Sequence, residues 1–89
     1  MKDLGLKNID TLVNLVKCES QDQIEKWGVQ DSHPLEWLAF LSEEFGEISK
    51  AINESVYREG SSTAVVSEAI QVATLSLKIA EMYMKETKQ

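Results

Sequence analysis

The stretch from about Ala64 to about Lys85 does most to narrow the fold. Its apolar residues recur every three or four positions, the period of a helix. At about 100° per residue, Ile70, Ala73, Leu77 and Ala80 share one face. Val72, Leu75, Ile79 and Met82 lie on nearly the opposite face, and Ser67, Thr74, Lys78, Glu81 and Lys85 make a narrow polar stripe between them. A helix apolar on two faces is buried on two sides. It needs a neighbour on each.

The rest of the chain offers two more helices. Ile9, Leu12, Val13 and Val16 recur at helical spacing, and Ile24 and Trp27 extend the pattern, which predicts a first helix from about residue 6 to about residue 26, with a break conceivable near Glu19-Ser20 and a stop at Gly28. Asp31-Ser32-His33-Pro34 reads as a turn. Proline suits the first helical position with a polar cap before it, and Glu36 suits the helix dipole. A second helix then runs from about Pro34 to about Glu59. Leu38, Leu41, Phe45, Ile48 and Ile52 form a seam along it for packing against other helices. Gly46 costs about 1 kcal/mol there relative to alanine, and is either tolerated or lets another helix or a ligand come close. Gly60-Ser61-Ser62-Thr63 ends that helix and caps the third. The tail Glu86-Thr87-Lys88-Gln89 should fray.

A chain of 89 residues makes one domain, residues 1–89, with little core of its own. The expected fold is all-α: three main helices per chain, in a four-helix-bundle-type core completed by dimerisation. The formal net charge of -6 argues against binding nucleic-acid polymers, whose backbone needs clustered Lys and Arg. The single cysteine, Cys18, cannot form an internal disulfide and reads as a small buried apolar residue. Met1-Lys2-Asp3-Leu4-Gly5 opens no signal peptide, and no uninterrupted apolar run approaches a membrane span, so a cytoplasmic protein without a membrane partner is expected.

The chemistry concentrates in Ser42-Glu43-Glu44-Phe45-Gly46-Glu47. Residues three and four apart are neighbours on a helix, so Glu47 shares a face with both Glu43 and Glu44, and each like-charged pair is unfavourable by a few tenths of a kcal/mol. Either these residues form a solvated acidic face, or a hard divalent cation such as magnesium offsets the repulsion. Glu68 sits one turn before Val72 on an apolar face, where a lone carboxylate must be paired, protonated or bound to metal. Gln71 follows one turn later on the same side. Two antiparallel helices joined by a short loop can bring Glu44 and Glu47 against Glu68 and Gln71.

These residues carry a resemblance. Glu43-Glu44-Phe45-Gly46-Glu47, a spacer over residues 48–67, then Glu68-Ala69-Ile70-Gln71 resembles the MazG-like family of all-α nucleoside triphosphate pyrophosphohydrolases, in a short single-domain form. The family motif is Glu-Glu-x-x-Glu, a variable spacer, then Glu-x-x-Asp. Gln21-Asp22, Lys26-Trp27-Gly28, Trp37 and Val72-Ala73 add to the likeness, which covers roughly residues 20–83. It departs at Gln71, where the family has its last acidic residue. An amide oxygen can ligate magnesium but brings no charge, so weaker metal binding is expected.

The resemblance implies cleavage of a (d)NTP between the α- and β-phosphates, giving the monophosphate and pyrophosphate. It implies Mg2+, or Mn2+ in its place, on Glu44, Glu47, Glu68 and Gln71, with Glu43 or Glu47 accepting the proton of the attacking water. Lys50 would reach a phosphate oxygen, unless it only pairs with Glu47 or Glu54. Asn53 would contact phosphate or sugar, and Lys26 is a further phosphate candidate. Trp27 and Trp37 would stack on a base, with core packing the alternative. His33 reads as a cap or turn residue. The implied partners are the nucleotide and a second copy, in a homodimer or homotetramer. The alternative is a helical dimer, catalytically weakened by Gln71, that binds a nucleotide or a protein without turnover.

Overall fold

A computed structural model describes residues 5–28 and 33–87, with side chains as far as Lys85. It contains three helices, α1 (Ile9–Trp27), α2 (Pro34–Tyr57) and α3 (Ser62–Thr87), and no strand among the described residues. The expected turn at Asp31-Ser32 and the last tail residues, Lys88-Gln89, lie outside the described residues.

The helix ends follow from local chemistry. α1 runs unbroken through Glu19-Ser20 and stops at Gly28, whose φ of 79° is open to glycine at little cost. Pro34 opens α2 behind His33. The His33 Nδ1 accepts from the Leu35 N–H at 3.1 Å, and the His33 N–H donates to Glu36 Oε1 at 3.2 Å, so two otherwise orphaned donors are satisfied. At the other end, the Glu54 carbonyl accepts from the N–H groups of both Arg58 and Gly60. The chain folds back so tightly that a Cβ at position 60 would lie 3.0 Å from Glu54 backbone and side-chain carbon, so any larger residue would push Glu54 back by a few tenths of an ångström. The Ser61 hydroxyl then accepts from the Thr63 N–H at 3.1 Å and starts α3. α3 continues to Thr87, past the frayed end expected at Glu86.

α3 is the central helix. It packs against both α1 and α2, which do not pack against each other. A groove is thereby left between α1 and α2, with α3 as its floor. The apolar core is small: Trp37, Ala51 and Leu75 are buried, and Trp37 meets Phe40 edge-to-face with ring centroids 6.0 Å apart. The radius of gyration, 14.7 Å, exceeds the roughly 12 Å of a compact domain of this length.

Four sequence expectations need correction. The inner face of α2 takes in Trp37, Leu41, Glu44, Ile48 and Ala51; Leu41 and Ile48 of the expected seam lie on it, whereas Leu38, Phe45 and Ile52 of that seam are exposed within the chain. The large Trp37 ring and the small Ala51 set the rotation of α2, and Glu44 is carried inward with them. On α1 the inner stripe runs Leu12, Val16, Glu19, Gln23, and Ile24 and Trp27 leave it. Cys18 is exposed. The polar stripe of α3 is also partly internal. Thr74 is fully buried, its hydroxyl donating to the Ile70 carbonyl at 2.8 Å, and Lys78 is half-buried. A Cβ on Gly46 would meet nothing within 4 Å, so no close approach within the chain requires that glycine. By length and composition alone α3 could cross a membrane. Its Glu68 and Lys78 turn toward neighbouring helices, as in the middle helix of a bundle.

Candidate functional site

The α2–α3 hairpin brings Glu43, Glu44, Glu47, Glu68 and Gln71 to the wall of one open depression of about 420 Å³. Helical spacing does this on each side: Glu44 and Glu47 are one turn apart on α2, and Glu68 and Gln71 one turn apart on α3. Glu44, Glu68 and Gln71 are half-buried, whereas Glu43 and Glu47 are exposed.

At the centre, Glu44 and Glu68 oppose each other. The Oε2 atom of each is buried with no hydrogen-bond partner. Two ionised carboxylates cannot hydrogen-bond to each other, since neither has a proton to donate. The Glu44 carboxyl is accordingly held above its ordinary range. Burial is the main cause, followed by the charge of Glu68 and the bond a protonated Glu44 makes to it, then by the charges of Glu47 and Glu19. Buried oxygens without a partner need explanation in a folded protein. A cation or a shared proton would supply one.

The donors are all oxygen, which suits a hard divalent ion. As the side chains stand, no three His, Cys, Asp or Glu among the described residues are grouped closely enough to hold a metal ion. Mutual repulsion keeps uncompensated carboxylates apart, and the exposed Glu43 and Glu47 have rotamer freedom that the half-buried pair lacks.

The remaining candidates divide. Trp27 lines a cavity of about 350 Å³ in the groove between α1 and α2, together with Glu19, Gln23, Phe40, Glu43, Glu44, Gln71 and Leu75. This cavity shares Glu43, Glu44 and Gln71 with the acidic depression. The Lys26 ammonium sits over the Trp27 ring, 5.0 Å from its centroid. Trp37 lies in the core and lines neither space; Phe40, one turn on, takes the place at the cavity. Lys50 and Asn53 line a separate depression with Glu54, Tyr57 and Arg58, and the Asn53 amide donates to its own helix at the Ser49 carbonyl, 2.8 Å away.

Sequence reasoning missed Glu19, Gln23, Phe40 and Lys78. The Gln23 Nε2 donates to Glu19 Oε2 at 2.8 Å, and the Lys78 Nζ donates to Gln23 Oε1 at 2.7 Å. Burial lowers the Lys78 pKa, against the opposing charge of Glu19. The one available signal was that Glu19 and Gln23 continue the Leu12–Val16 stripe at helical spacing, where polar side chains on an inner face call for partners. No protein-family model, curated protein or solved structure matches this chain.

Proposed function

We propose that this chain is a nucleoside triphosphate pyrophosphohydrolase of the MazG-like kind, converting a (d)NTP and water to the (d)NMP and pyrophosphate in the cytoplasmic nucleotide pool. The observation that carries this reading is the Glu44–Glu68 pair, two carboxylates with buried, unpartnered oxygens facing each other across the α2–α3 interface. A purely structural interface gains nothing from such a pair. Magnesium, or manganese in its place, would be held by Glu44, Glu47 and Glu68 with the Gln71 amide oxygen, and would there neutralise and polarise the phosphoryl oxygens. Glu43 and Glu47 are the exposed carboxylates of the set, free to accept a proton from the attacking water. Trp27 lines the adjoining cavity, with the Lys26 ammonium over its ring. Lys50 and Asn53 would serve a nucleotide only by reaching over from their own depression.

The assembly belongs to the same proposal. Leu35, Leu38, Phe45, Ile52 and Val56 are exposed along α2 at steps of three, seven, seven and four, and Val66, Leu77 and Met84 are exposed on α3. Burying a side chain of this size is worth about 1.5–3 kcal/mol. A second copy laid against these stripes would complete a four-helix bundle, as a homodimer or within a homotetramer. Gln71, which removes one charge from the site, favours a second reading: a helical dimer that binds a nucleotide or a protein without turnover.

Pyrophosphate release from a panel of NTPs and dNTPs with magnesium tests the proposal. Turnover is expected in the wild type and should vanish in Glu47→Gln. Silence in the wild type and in Gln71→Asp, on folded protein, would replace the enzyme reading with the binding one.

A further inference from the structure

The cavity between α1 and α2 has a built polar end that the acidic site does not use. Gln23 is only 5% exposed, and both ends of its amide are engaged. Its nitrogen donates to Glu19 and its oxygen accepts from Lys78, at 2.8 and 2.7 Å. An ammonium can only donate and a carboxylate can only accept, so the amide has one allowed orientation. One N–H and one oxygen lone pair are left over. Glu19 likewise keeps most of its lone pairs after bonding Gln23. Trp27 and Phe40 supply aromatic surface to the same cavity, whose other rim is the acidic depression. A volume of about 350 Å³ lies within the range of small-molecule sites.

We propose that this cavity receives the nucleobase, and that Glu19 and Gln23 select a base carrying an exocyclic amino group, cytosine or adenine, over its oxo counterpart. The inference rests on the proposed nucleotide chemistry for its choice of ligand. A carboxylate accepts from an amino group such as cytosine N4, and a glutamine amide pairs with the amino edge of adenine. Facing a carbonyl oxygen instead, Glu19 meets lone pair with lone pair. A site built to bond one group and left unpaired by another discriminates strongly. Lys78 acts through Gln23 and is a positioning residue: it forbids the flipped amide.

The test compares CTP with UTP and ATP with ITP in kcat/KM, beside calorimetric binding of CMP, UMP, AMP and IMP to the full chain. Amino bases should be preferred by roughly 10- to 100-fold, the value of one hydrogen bond to a charged group. Glu19→Gln, which can donate where Glu19 cannot, should erase or reverse the preference. Lys78→Met should narrow the CTP/UTP ratio, whereas a merely structural loss would lower both substrates alike. Trp27→Ala should weaken all four monophosphates together. Turnover or binding without an amino preference, or a preference untouched in folded Glu19→Gln, overturns the inference and leaves the pyrophosphohydrolase reading standing. Monophosphate binding with the preference, but no triphosphate turnover, upholds the cavity and overturns the reaction. No binding and no turnover overturns both.

Discussion

α3 meets its neighbours at two polar junctions, and they are opposite in character. At Lys78 the junction with α1 is satisfied: ammonium, amide and carboxylate form a chain of two short hydrogen bonds through Gln23. At Glu68 the junction with α2 is frustrated: a carboxylate faces Glu44, and each keeps a buried oxygen without a partner. Both interrupt apolar packing on the same helix. The first locks α1 onto α3 with complementary charge. The second stores repulsion in a place where apolar side chains would pack at lower energy. Natural sequences break the local rules mainly at functional sites. The frustrated junction is therefore the one to read as chemistry, and the satisfied one as architecture that also borders the cavity.

The contrast is sharpest in the signs of mutational effects. Glu68→Gln should cut pyrophosphate release at least about 100-fold while raising the melting temperature of the metal-free protein, since one of two opposed charges is gone. Lowered stability in that variant would remove the frustration from the comparison. Lys78→Met should instead lower the melting temperature. It leaves the Gln23 oxygen unpaired, for a loss of about 1–3 kcal/mol at roughly 4–8 °C per kcal/mol in a domain this size. Thermal melts of the two variants side by side would decide whether the junctions differ in kind.

Proton linkage gives a smaller effect with a definite sign. Because the folded-state pKa of Glu44 is raised above its ordinary value of 4.5, the folded chain takes up a proton before the unfolded one. The stability tied to Glu44 is present below the ordinary value and is lost as pH rises through the raised one. Metal-free wild type should therefore gain stability relative to Glu44→Gln as pH falls from neutral toward 4.5, and magnesium should flatten the difference. A constant difference across that window would show that neither burial nor Glu68 raises the Glu44 pKa in the folded chain. The smallest expected effect is that of Asn53→Ala. Its amide is bonded to its own helix at Ser49, and turnover and stability should both stay within about 0.5 kcal/mol of wild type. A large loss there would extend the site onto the Lys50 depression.

Much of this was legible in the chain. Helix ends depend on neighbours in sequence, so His33-Pro34-Leu35-Glu36, Gly28 and Gly60-Ser61 announced their roles. Glu43, Glu44, Glu47, Glu68 and Gln71 could be assembled on paper because a hairpin of two helices has few registers. The rotation of α2 could not. Leu38, Phe45 and Ile52 form as good a seam on paper as Trp37, Glu44 and Ala51, and only packing against α3 chose between them. The inward turn of Glu44 follows from that choice.

Local periodicity and capping are short-range properties, and the sequence by itself determined three helices, their limits to within a few residues, and which carboxylates share a face. Which face turns inward is a competition among whole surfaces, decided by how Trp37 and Ala51 fit α3. The Gln23–Lys78 contact joins residues 55 apart in sequence. No local spacing encodes such a pair, and only the tertiary structure, by laying α1 and α2 on either side of one central helix, created the cavity that it borders.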